Sequence, residues 1–435
     1  MRKLLQSILH AAVLAAAAAP LRAAGPAALP VISGEVTIYR GASVWNGKRM
    51  VAKTLIVDRG KFVAHAPKSA RISELNLSGR YIVPAFGNAH EHITNANPGS
   101  NWAYLEEGVF YVWNPNSIEI GQASIDYFKR PDTIDVGFAM GGLTEPGGHP
   151  EPLYTDILSQ RVYVGKKLDW FVGNAFHYGR TPKEIDASLD KLVEQQANFV
   201  KAYLLFSENY AERAASDRYR GLRGLNPANF AYLVAAAKRR GLPTYAHAET
   251  RFDLLTAARS GAAVAGHLPP YQSVTSAAEL AMMQLSDADA RAVADSRMML
   301  VPTFGLAWES YGEAAKEPGF DPSERDRVFA VQSSNMRKLA SAGATFLTGT
   351  DRNPAIFEEI EHWVAIGGMV PAEALKATLA TGKRMFPNRR IGCFEPGCEA
   401  DFLVLGADPT RDLKALRKIE RIVKAGEPMT APAGN

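Results

Sequence analysis

The chain has 435 residues, of which 47% are hydrophobic and 22% charged, and its formal net charge is +4 at pH 7. This composition is typical of a globular protein with a substantial core, and it excludes a low-complexity chain beyond the first 30 residues. The near balance of charges gives no indication of a nucleic-acid partner.

Residues 1–23 have the three parts of a secretory signal peptide: Arg2 and Lys3, an apolar run over 8–19, and Leu21-Arg22-Ala23. A transmembrane anchor is the alternative, but the run is short for a span and no second span follows it. We therefore expect a periplasmic or secreted protein with no membrane anchor after processing. Removing residues 1–23 would lower the net charge from +4 to about +1.

The middle of the chain alternates short apolar runs with stretches long enough for a helix. This alternation predicts an α/β protein with a parallel sheet, which we expect to close into a (β/α)8 TIM-like barrel. The candidate strands are 82–89, 108–113, 134–140, 199–205, 243–248, 264–268, 299–303 and 345–350. The clearest helices are 181–196, 226–240 and 328–341.

Polar residues follow several of these runs. His90 and His92 are two residues apart, so on an extended strand both imidazoles project from one face. His247, His267 and Asp351 each end another apolar run. Since the carboxyl ends of barrel strands meet at one mouth, we expect these side chains to lie together.

Lys201 lies within the apolar run 198–206, where a strand buried on both faces leaves an ammonium group costly to accommodate. We expect this lysine to be paired with a carboxylate or chemically altered. Neutral imidazoles and carboxylates suit zinc.

In this order the residues resemble the amidohydrolase superfamily, in the branch with a carboxylated lysine that includes metal-dependent dipeptidases and imidazolonepropionase-like hydrolases. The flanking segments 77–84 and 395–405 are also similar to the family's. The resemblance implies that His90, His92 and Asp351 hold one ion and that His247 and His267 hold the other. It implies further that Lys201, as a carbamate, bridges two divalent ions, most simply zinc.

The chain departs from the family at two places before the first histidines. Asn88 stands where the family usually has aspartate, which removes a carboxylate from that position. The segment before the first histidine is Pro84-Ala85-Phe86-Gly87, where the family more commonly has Pro-Gly-Leu/Phe-Ile-Asp. Neither change affects a predicted ligand.

The resemblance also implies a division into domains. After the signal peptide predicted above for residues 1–23, it implies that residues 81–389 form the metal-dependent barrel. The short β-like runs of 34–80 and 390–428 pair as one small β-sandwich, into which the barrel is inserted. The chain's two cysteines, Cys393 and Cys398, flank a predicted hairpin, with a disulfide and two free thiols as equal alternatives.

These predictions describe a binuclear-metal hydrolase that cleaves an amide bond in a small molecule, peptide-like or an N-acyl amino acid. In such a mechanism a metal-bridging hydroxide attacks the carbonyl, with Asp351 as general base and then acid. Alternatives are lactone or phosphotriester hydrolysis at the same site, a mononuclear deaminase, and a metal-bearing binding protein without catalysis. The sequence leaves the oligomeric state open, a homo-oligomer included.

Three further residues are candidates for substrate contact. His149 lies in the glycine-rich loop 141–150 after the third strand, where backbone can approach a ligand closely. Tyr203 has the same strand parity as Lys201, so its hydroxyl could meet a substrate carbonyl. His177 is expected to line the pocket. A loop histidine without a role and a core tyrosine are the alternatives for the first two.

Overall fold

The computed structural model describes residues 35–432 except 69, 272–276, 317–318, 320 and 353–355. The predicted signal peptide, residues 1–23, lies outside the described residues. Within the described part of the chain, none of the helices combines the length and the apolar character needed to cross a bilayer.

The described residues form strands and helices in the alternation that the sequence predicts. The strands are β1 (Glu35–Arg40), β2 (Ser43–Trp45), β3 (Met50–Ala52), β4 (Leu55–Asp58), β5 (Lys61–Phe62), β6 (Arg71–Asn76), β7 (Tyr81–Pro84), β8 (Phe86–Asn88), β9 (Val109–Asn114), β10 (Asp135–Phe138), β11 (Gly142–Thr144), β12 (Phe176–Tyr178), β13 (Val200–Leu204), β14 (Thr244–Ala248), β15 (Val264–Gly266), β16 (Met299–Val301), β17 (Thr345–Phe346), β18 (Phe402–Leu405), β19 (Ile419–Lys424) and β20 (Glu427–Pro428). The α-helices are α1 (Pro98–Leu105), α2 (Gln122–Tyr127), α3 (Ser159–Arg161), α4 (Leu168–Phe171), α5 (Pro182–Glu194), α6 (Tyr210–Ala214), α7 (Pro227–Arg239), α8 (Arg251–Ser260), α9 (Ala277–Met282), α10 (Asp287–Asp295), α11 (Phe304–Ala314), α12 (Pro322–Ser341), α13 (Ile356–Ala365) and α14 (Pro371–Met385). A π-helical turn, Leu153–Leu158, precedes α3, and 3₁₀ turns lie at Ser207–Asn209, Asp217–Tyr219 and Leu413–Arg417.

Helices α5 and α7 show why the sequence predicts their positions well. The side chain of Thr181 accepts a hydrogen bond from the N–H of Glu184, and proline is the first helical residue. Asn226 caps α7 in the same way, again before a proline. A capping oxygen followed by proline satisfies the free N–H groups of the first turn and presets its backbone angle.

The parallel strands form a seven-stranded sheet in the order β12-β11-β13-β14-β15-β16-β17 and a three-stranded sheet in the order β10-β9-β8. Backbone hydrogen bonds connect the two sheets at two places, one at the edge strand β17 and one beside β13, which is third in the seven-stranded order. The N–H of Ala89, after β8, donates to the carbonyl of Thr348, after β17 (2.8 Å), and the N–H of Asn198, before β13, donates to the carbonyl of Phe138 in β10 (2.7 Å). The parallel sheet of the α/β fold is confirmed.

The first predicted strand, 82–89, is divided in the structure. Residues Tyr81–Pro84 form β7, which pairs with β18 antiparallel and with β2 parallel. Only Phe86–Asn88 joins the parallel sheets. Both halves are apolar because both are buried, and an apolar run alone does not reveal which sheet a strand enters.

The two chain ends meet in two further sheets, β5-β4-β1-β6 and β20-β19-β18-β7-β2-β3. Aromatic rings pack between these sheets, with Tyr39 of β1 edge-on to Phe402 of β18 at a centroid distance of 5.2 Å. Phe62 of β5 also packs against Phe402, at 5.8 Å. Cys393 and Cys398 are joined in a disulfide just before β18, which selects one of the two alternatives left open by the sequence.

Candidate metal centre

The predicted ligands converge at the carboxyl ends of the parallel strands. His90 and His92 follow β8, His267 follows β15 and Asp351 follows β17. Lys201 and His247 lie within β13 and β14, and Tyr203 is paired in register with His247. All six predicted ligands line one cavity of about 930 Å³. Parallel strands place residues distant in sequence along one rim, which is why the order of residues along the chain predicts the cluster.

Strained backbone is concentrated at this rim. Five non-glycine residues that follow parallel strands adopt a left-handed conformation: Met140 (φ 58°), Phe206 (φ 53°), His267 (φ 74°), Thr303 (φ 52°) and Asp351 (φ 55°). Non-glycine residues avoid this region unless the surrounding structure holds them there, and such residues are concentrated at functional sites.

One group of side chains has the spacing of metal ligands. Asp351 Oδ1 lies 3.1 Å from His92 Nε2 and 3.4 Å from His90 Nε2. Ligand atoms of these three residues all lie within 4.8 Å of one another. Imidazole nitrogens and a carboxylate oxygen in such a group suit a divalent transition metal.

The rings of His247 and His267 extend this group on the other side of Asp351. Their centroids are 4.5 Å apart, and the His267 ring lies 4.9 Å from that of His90. His267 Nδ1 is 4.0 Å from Asp351 Oδ2, so the two oxygens of this carboxylate face different histidines.

Hydrogen bonds determine which ring nitrogen of His92 is available to a metal. His92 Nδ1 lies 2.7 Å from the carbonyl oxygen of Asn116, and since a carbonyl only accepts, Nδ1 carries the proton. The lone pair of a neutral ring is then on Nε2, the atom that faces Asp351. This use of one ring nitrogen to orient the other is typical of metal-binding histidines.

The same argument applies to the second pair of histidines. The hydroxyl of Thr303 donates to the carbonyl of Pro302 and so accepts from His267 Nδ1 at 2.8 Å, which leaves the lone pair on Nε2. His247 Nε2 lies 2.5 Å from Glu249 Oε1, so this ring nitrogen is engaged by the carboxyl group of Glu249. Each of these two rings therefore has one nitrogen held by a neighbouring side chain.

Burial keeps these rings neutral, as metal binding requires. Desolvation lowers the pKa of His247 to about 3, with the charge of Lys201 acting in the same direction. Desolvation also holds the pKa of His90 and of His267 well below the ordinary value. Burial alone would raise the pKa of Asp351, but the nearby His90 and His92 hold it below its usual range, so the carboxyl is ionised.

Lys201 is the least satisfied group of the centre. The side chain is 1% exposed, and Nζ has no hydrogen-bond partner among the described residues. Nζ lies over two aromatic faces, 4.5 Å from the ring centroid of Tyr245 and 5.5 Å from that of Tyr203. Desolvation lowers the pKa of Lys201 to about 7, so a large fraction of the amine is neutral and nucleophilic near neutral pH.

Two of the three predicted substrate residues lie at the cavity. The ring of His149 stacks on that of His247 at 5.1 Å, and the ring of Tyr203 lies 5.1 Å from His149; both residues line the cavity. The N–H of His149 donates to the carbonyl of Arg223, so the segment after β13 holds the glycine-rich loop.

His177 is not brought to the cavity, contrary to the expectation from sequence. It lies in β12 in register with Leu143, which belongs to the main core. Desolvation lowers the pKa of His177 to about 4, and the nearby ammonium of Lys191 in α5 contributes to this shift. The ring therefore lies on the face of β12 that is covered by a helix. Because side chains alternate between the two faces of a strand, this face points away from the cavity.

Several residues of the site were missed in the sequence. Tyr245 and Glu249 lie two residues before and two residues after His247. On an extended strand this spacing places all three side chains on one face, and it is the signal that could have identified them. Tyr271 stacks on His267 at a centroid distance of 3.8 Å, and its hydroxyl donates to Asp351 Oδ2 at 3.1 Å. Tyr271 lies in a loop, where periodicity gives no signal.

Asn88, the departure from the family, has a defined structural role. Its side chain is fully buried and donates to Thr350 Oγ1 at 2.8 Å. Its oxygen accepts from the N–H groups of His90 and Thr350, both at 3.2 Å. Asn88 thus holds the segment bearing the first two histidines against the segment bearing Asp351.

The donor set, the strand-end rim and the buried lysine define a metal-dependent hydrolase. The model of the amidohydrolase family matches residues 221–429, just under half of the chain. Residues 221–429 therefore resemble the amidohydrolase family, and the chain is a metal-dependent hydrolase that acts on carbon–nitrogen bonds. No curated protein matches it.

Solved structures resemble nearly the whole chain. Ochratoxinase of A. niger is 16% identical with a TM-score of 0.70, covering 92% of this chain and 96% of that one. A Xaa-Pro dipeptidase with bound methionine is 17% identical with a TM-score of 0.68, covering 91% and 99%. Molinate hydrolase is 16% identical with a TM-score of 0.64, covering 92% and 95%. At such low identity these likenesses show the fold.

Proposed function

We propose that the protein hydrolyses an amide bond, in a peptide-like molecule or an N-acyl amino acid, at a pair of divalent metal ions bridged by a carbamate on Lys201. The observation that carries this proposal is the state of Lys201. A fully buried amine without a hydrogen-bond partner among the described residues is unfavourable as an ammonium. Conversion to a carbamate would replace it with an anion placed among four imidazoles.

The donor set fits two ions. His90, His92 and Asp351 would hold one, His247 and His267 the other, and the carbamate of Lys201 both. When bound, two divalent ions supply Lewis acidity, which lowers the pKa of water and polarises a carbonyl. Zinc suits the imidazole-rich set, although manganese, cobalt and iron accept similar ligands.

The protein's own groups would move the proton and orient the substrate. Asp351 is ionised, and its Oδ2 accepts from Tyr271, so the carboxylate is oriented to take a proton from the attacking water and deliver it to the leaving amine. His149 and Tyr203 lie at the same rim and could donate to the carbonyl oxygen of the scissile amide. No side-chain nucleophile is then required.

The closure of the barrel, the β-sandwich and the secretion of the protein belong to the same proposal. The parallel strands would form a closed (β/α)8 barrel, which the two hydrogen bonds between the parallel sheets support. The chain-end sheets would form a β-sandwich, which the Tyr39–Phe402 contact supports. We further propose that residues 1–23 direct secretion to the periplasm or beyond. The partner would be a small-molecule substrate rather than nucleic acid.

The test is metal content per chain on protein lacking residues 1–23 and produced with zinc and bicarbonate, beside Lys201→Ala and the surface control Lys183→Ala. We expect two ions per chain in the wild type and in Lys183→Ala, and one or none in Lys201→Ala. Dipeptides, N-acyl amino acids, lactones and phosphotriesters are then screened for hydrolysis. Turnover confined to lactones or phosphotriesters would contradict amide hydrolysis.

A mononuclear centre is the second candidate, because His90, His92 and Asp351 alone form the compact ligand group. Glu249 and Thr303 already engage one nitrogen each of His247 and His267. One ion per chain in both the wild type and Lys201→Ala would exclude the carbamate bridge and direct the search to deaminase chemistry.

A further inference from the structure

The cavity at the metal centre has two different sides. The inner side holds the predicted ligands, His149 and Tyr203. The outer side is formed by the loop after β9 and by the helical segment 150–163 after β11, and it presents mainly aliphatic and aromatic side chains. We call the outer side the apolar wall; it includes Ile118, Ile120, Leu153, Ile157, Val162 and Tyr163.

The apolar wall is held in place from behind by aromatic packing. Tyr154 packs against Phe171 at 5.6 Å and Phe176 at 6.1 Å, and Tyr163 packs against Trp170 at 5.8 Å. The amide nitrogen of Asn116 donates to the hydroxyl of Tyr154 at 2.9 Å. Such support keeps the cavity from collapsing, so the apolar surface is preformed for a ligand.

Of the charged groups near the wall, Glu119 is exposed, whereas Arg220, Asp156 and Glu151 are paired within the protein. Arg220 forms an ion pair with Asp156 and lies 3.6 Å from Glu151. Glu151 in turn accepts from the N–H of Gly147 and from the hydroxyl of Tyr178, both at 2.8 Å. Arg220 is therefore occupied in holding the loop together.

The chemistry of the wall restricts what can lie against it. A peptide backbone placed there would exchange hydrogen bonds with water for contact with aliphatic carbon, which is unfavourable for each unpaired polar group. An alkyl or aryl group would instead remove apolar surface from water on both sides. The cavity volume of about 930 Å³ is near the upper end of the range for small-molecule sites, about 300–1,000 Å³.

We propose that the substrate is an amide with a bulky, uncharged alkyl or aryl group on one side of the scissile bond, and that this group packs against the apolar wall. This inference rests on the proposed function and specifies its substrate class. It favours N-acyl amino acids with medium-length acyl chains over short polar dipeptides.

The experiment compares kcat/KM of the metal-loaded enzyme for N-acetyl-, N-hexanoyl- and N-octanoylalanine, kept below micelle-forming concentrations. A parallel series of N-acetyl amino acids places the alkyl chain on the amine side. Burying one methylene can raise kcat/KM up to about fourfold. We therefore expect kcat/KM for N-octanoylalanine to exceed that for N-acetylalanine by at least about 100-fold, or an equal increase in kcat/KM along the parallel series.

Two variants test whether the apolar wall causes the preference for the longer acyl chain. Ile157→Asp places a charge on the apolar wall, and we expect it to reduce the octanoyl-to-acetyl ratio at least about tenfold. Gln160→Asp adds the same charge to the same segment at an exposed position outside the cavity lining, and it should leave both the ratio and the activity unchanged. Equal reductions in both variants would overturn the proposal.

The outcomes separate this inference from the proposed function. Hydrolysis of every chain length at the same kcat/KM, in both series, supports amide hydrolysis but overturns the apolar substrate class. If no amide is hydrolysed, the proposed function fails, and calorimetric binding of octanoylalanine and acetylalanine to the metal-loaded wild-type protein decides the inference. Tighter binding of octanoylalanine that Ile157→Asp removes supports it, and equal affinities overturn it.

Discussion

The hydroxyl of Tyr245 lies 2.9 Å from Nδ1 of His90, although 155 residues separate the two in sequence. Both groups are buried, and the two rings meet edge to face at 5.5 Å. This contact orients His90 so that Nε2 faces Asp351. Tyr245 in β14 is therefore placed to set the geometry of a ligand that follows β8.

Replacing Tyr245 with phenylalanine should weaken metal binding. The ring would still fill its place in the core, but His90 would lose the partner that orients it, and such losses typically reduce metal affinity about 10–100-fold. Competition with a chelator of known affinity measures the change. Unchanged affinity in a folded variant would show that packing alone positions His90.

Replacing Asp351 with asparagine should abolish most of the activity. The side chain keeps its shape but loses the negative charge that binds metal and accepts a proton, so we expect kcat to fall at least about 10²–10⁴-fold. Circular dichroism and metal content provide the controls for fold and loading. Retention of more than a tenth of the wild-type kcat would contradict the role of Asp351 as general base.

The stability of the metal-free, bicarbonate-free protein should rise with pH above 7. Desolvation lowers the pKa of Lys201 to about 7 in the folded chain, whereas an unfolded lysine titrates near 10.5. Between these values the unfolded state binds more protons, so the free energy of unfolding increases by up to about 1.4 kcal/mol per pH unit. Urea denaturation at pH 7, 8 and 9 measures this slope.

Lys201→Met is the matched variant for that slope, because methionine is similar in length and does not titrate. Its free energy of unfolding should vary less with pH over the same range. Identical slopes in the two proteins would mean that Lys201 does not carry the pH dependence.

A second cluster of buried charges, outside the candidate metal centre, should contribute strongly to the free energy of unfolding. Lys424 of β19 is 3% exposed and lies 2.9 Å from Asp135 of β10, which also pairs with Arg389 at 3.0 Å. Burial alone would lower the pKa of Lys424, but Asp135 and Asp401 raise it, so the amine is charged. Asp135→Asn leaves this charge poorly compensated and should cost about 3–5 kcal/mol.

The control for that variant is Glu74→Gln, which breaks the exposed ion pair with Arg40. Exposed pairs contribute little because water and salt screen them, so its melting temperature should hardly change. Comparable losses in both variants would contradict a special role for the buried cluster that joins β10 to the chain-end sheets.

The Cys393–Cys398 disulfide predicts that the oxidised, denatured protein has no free thiols and that reduction yields two. Closing so short a loop is worth about 2 kcal/mol by the chain-entropy model. Thiol titration and urea denaturation with and without reductant measure both quantities. Two thiols before reduction would contradict the disulfide.

Most of the metal centre was predictable from sequence because its residues follow apolar runs that must be strands. His90, His247, His267 and Asp351 sit at the same end of four parallel strands, β8, β14, β15 and β17, and that topology brings them to one rim. Lys201 was identifiable because a charged residue in a fully buried strand needs an explanation. Their chemistry follows from residue type and spacing, without knowledge of distances.

Other features were decided only by the tertiary structure. The face on which His177 lies depends on the register of β12, and the division of residues 81–88 between two sheets depends on pairing with β18, more than 300 residues later. Tyr271 reaches Asp351 from a loop. Local sequence determines strand, helix and residue chemistry because these depend on near neighbours, whereas strand register, loop position and the apolar wall depend on contacts between distant segments.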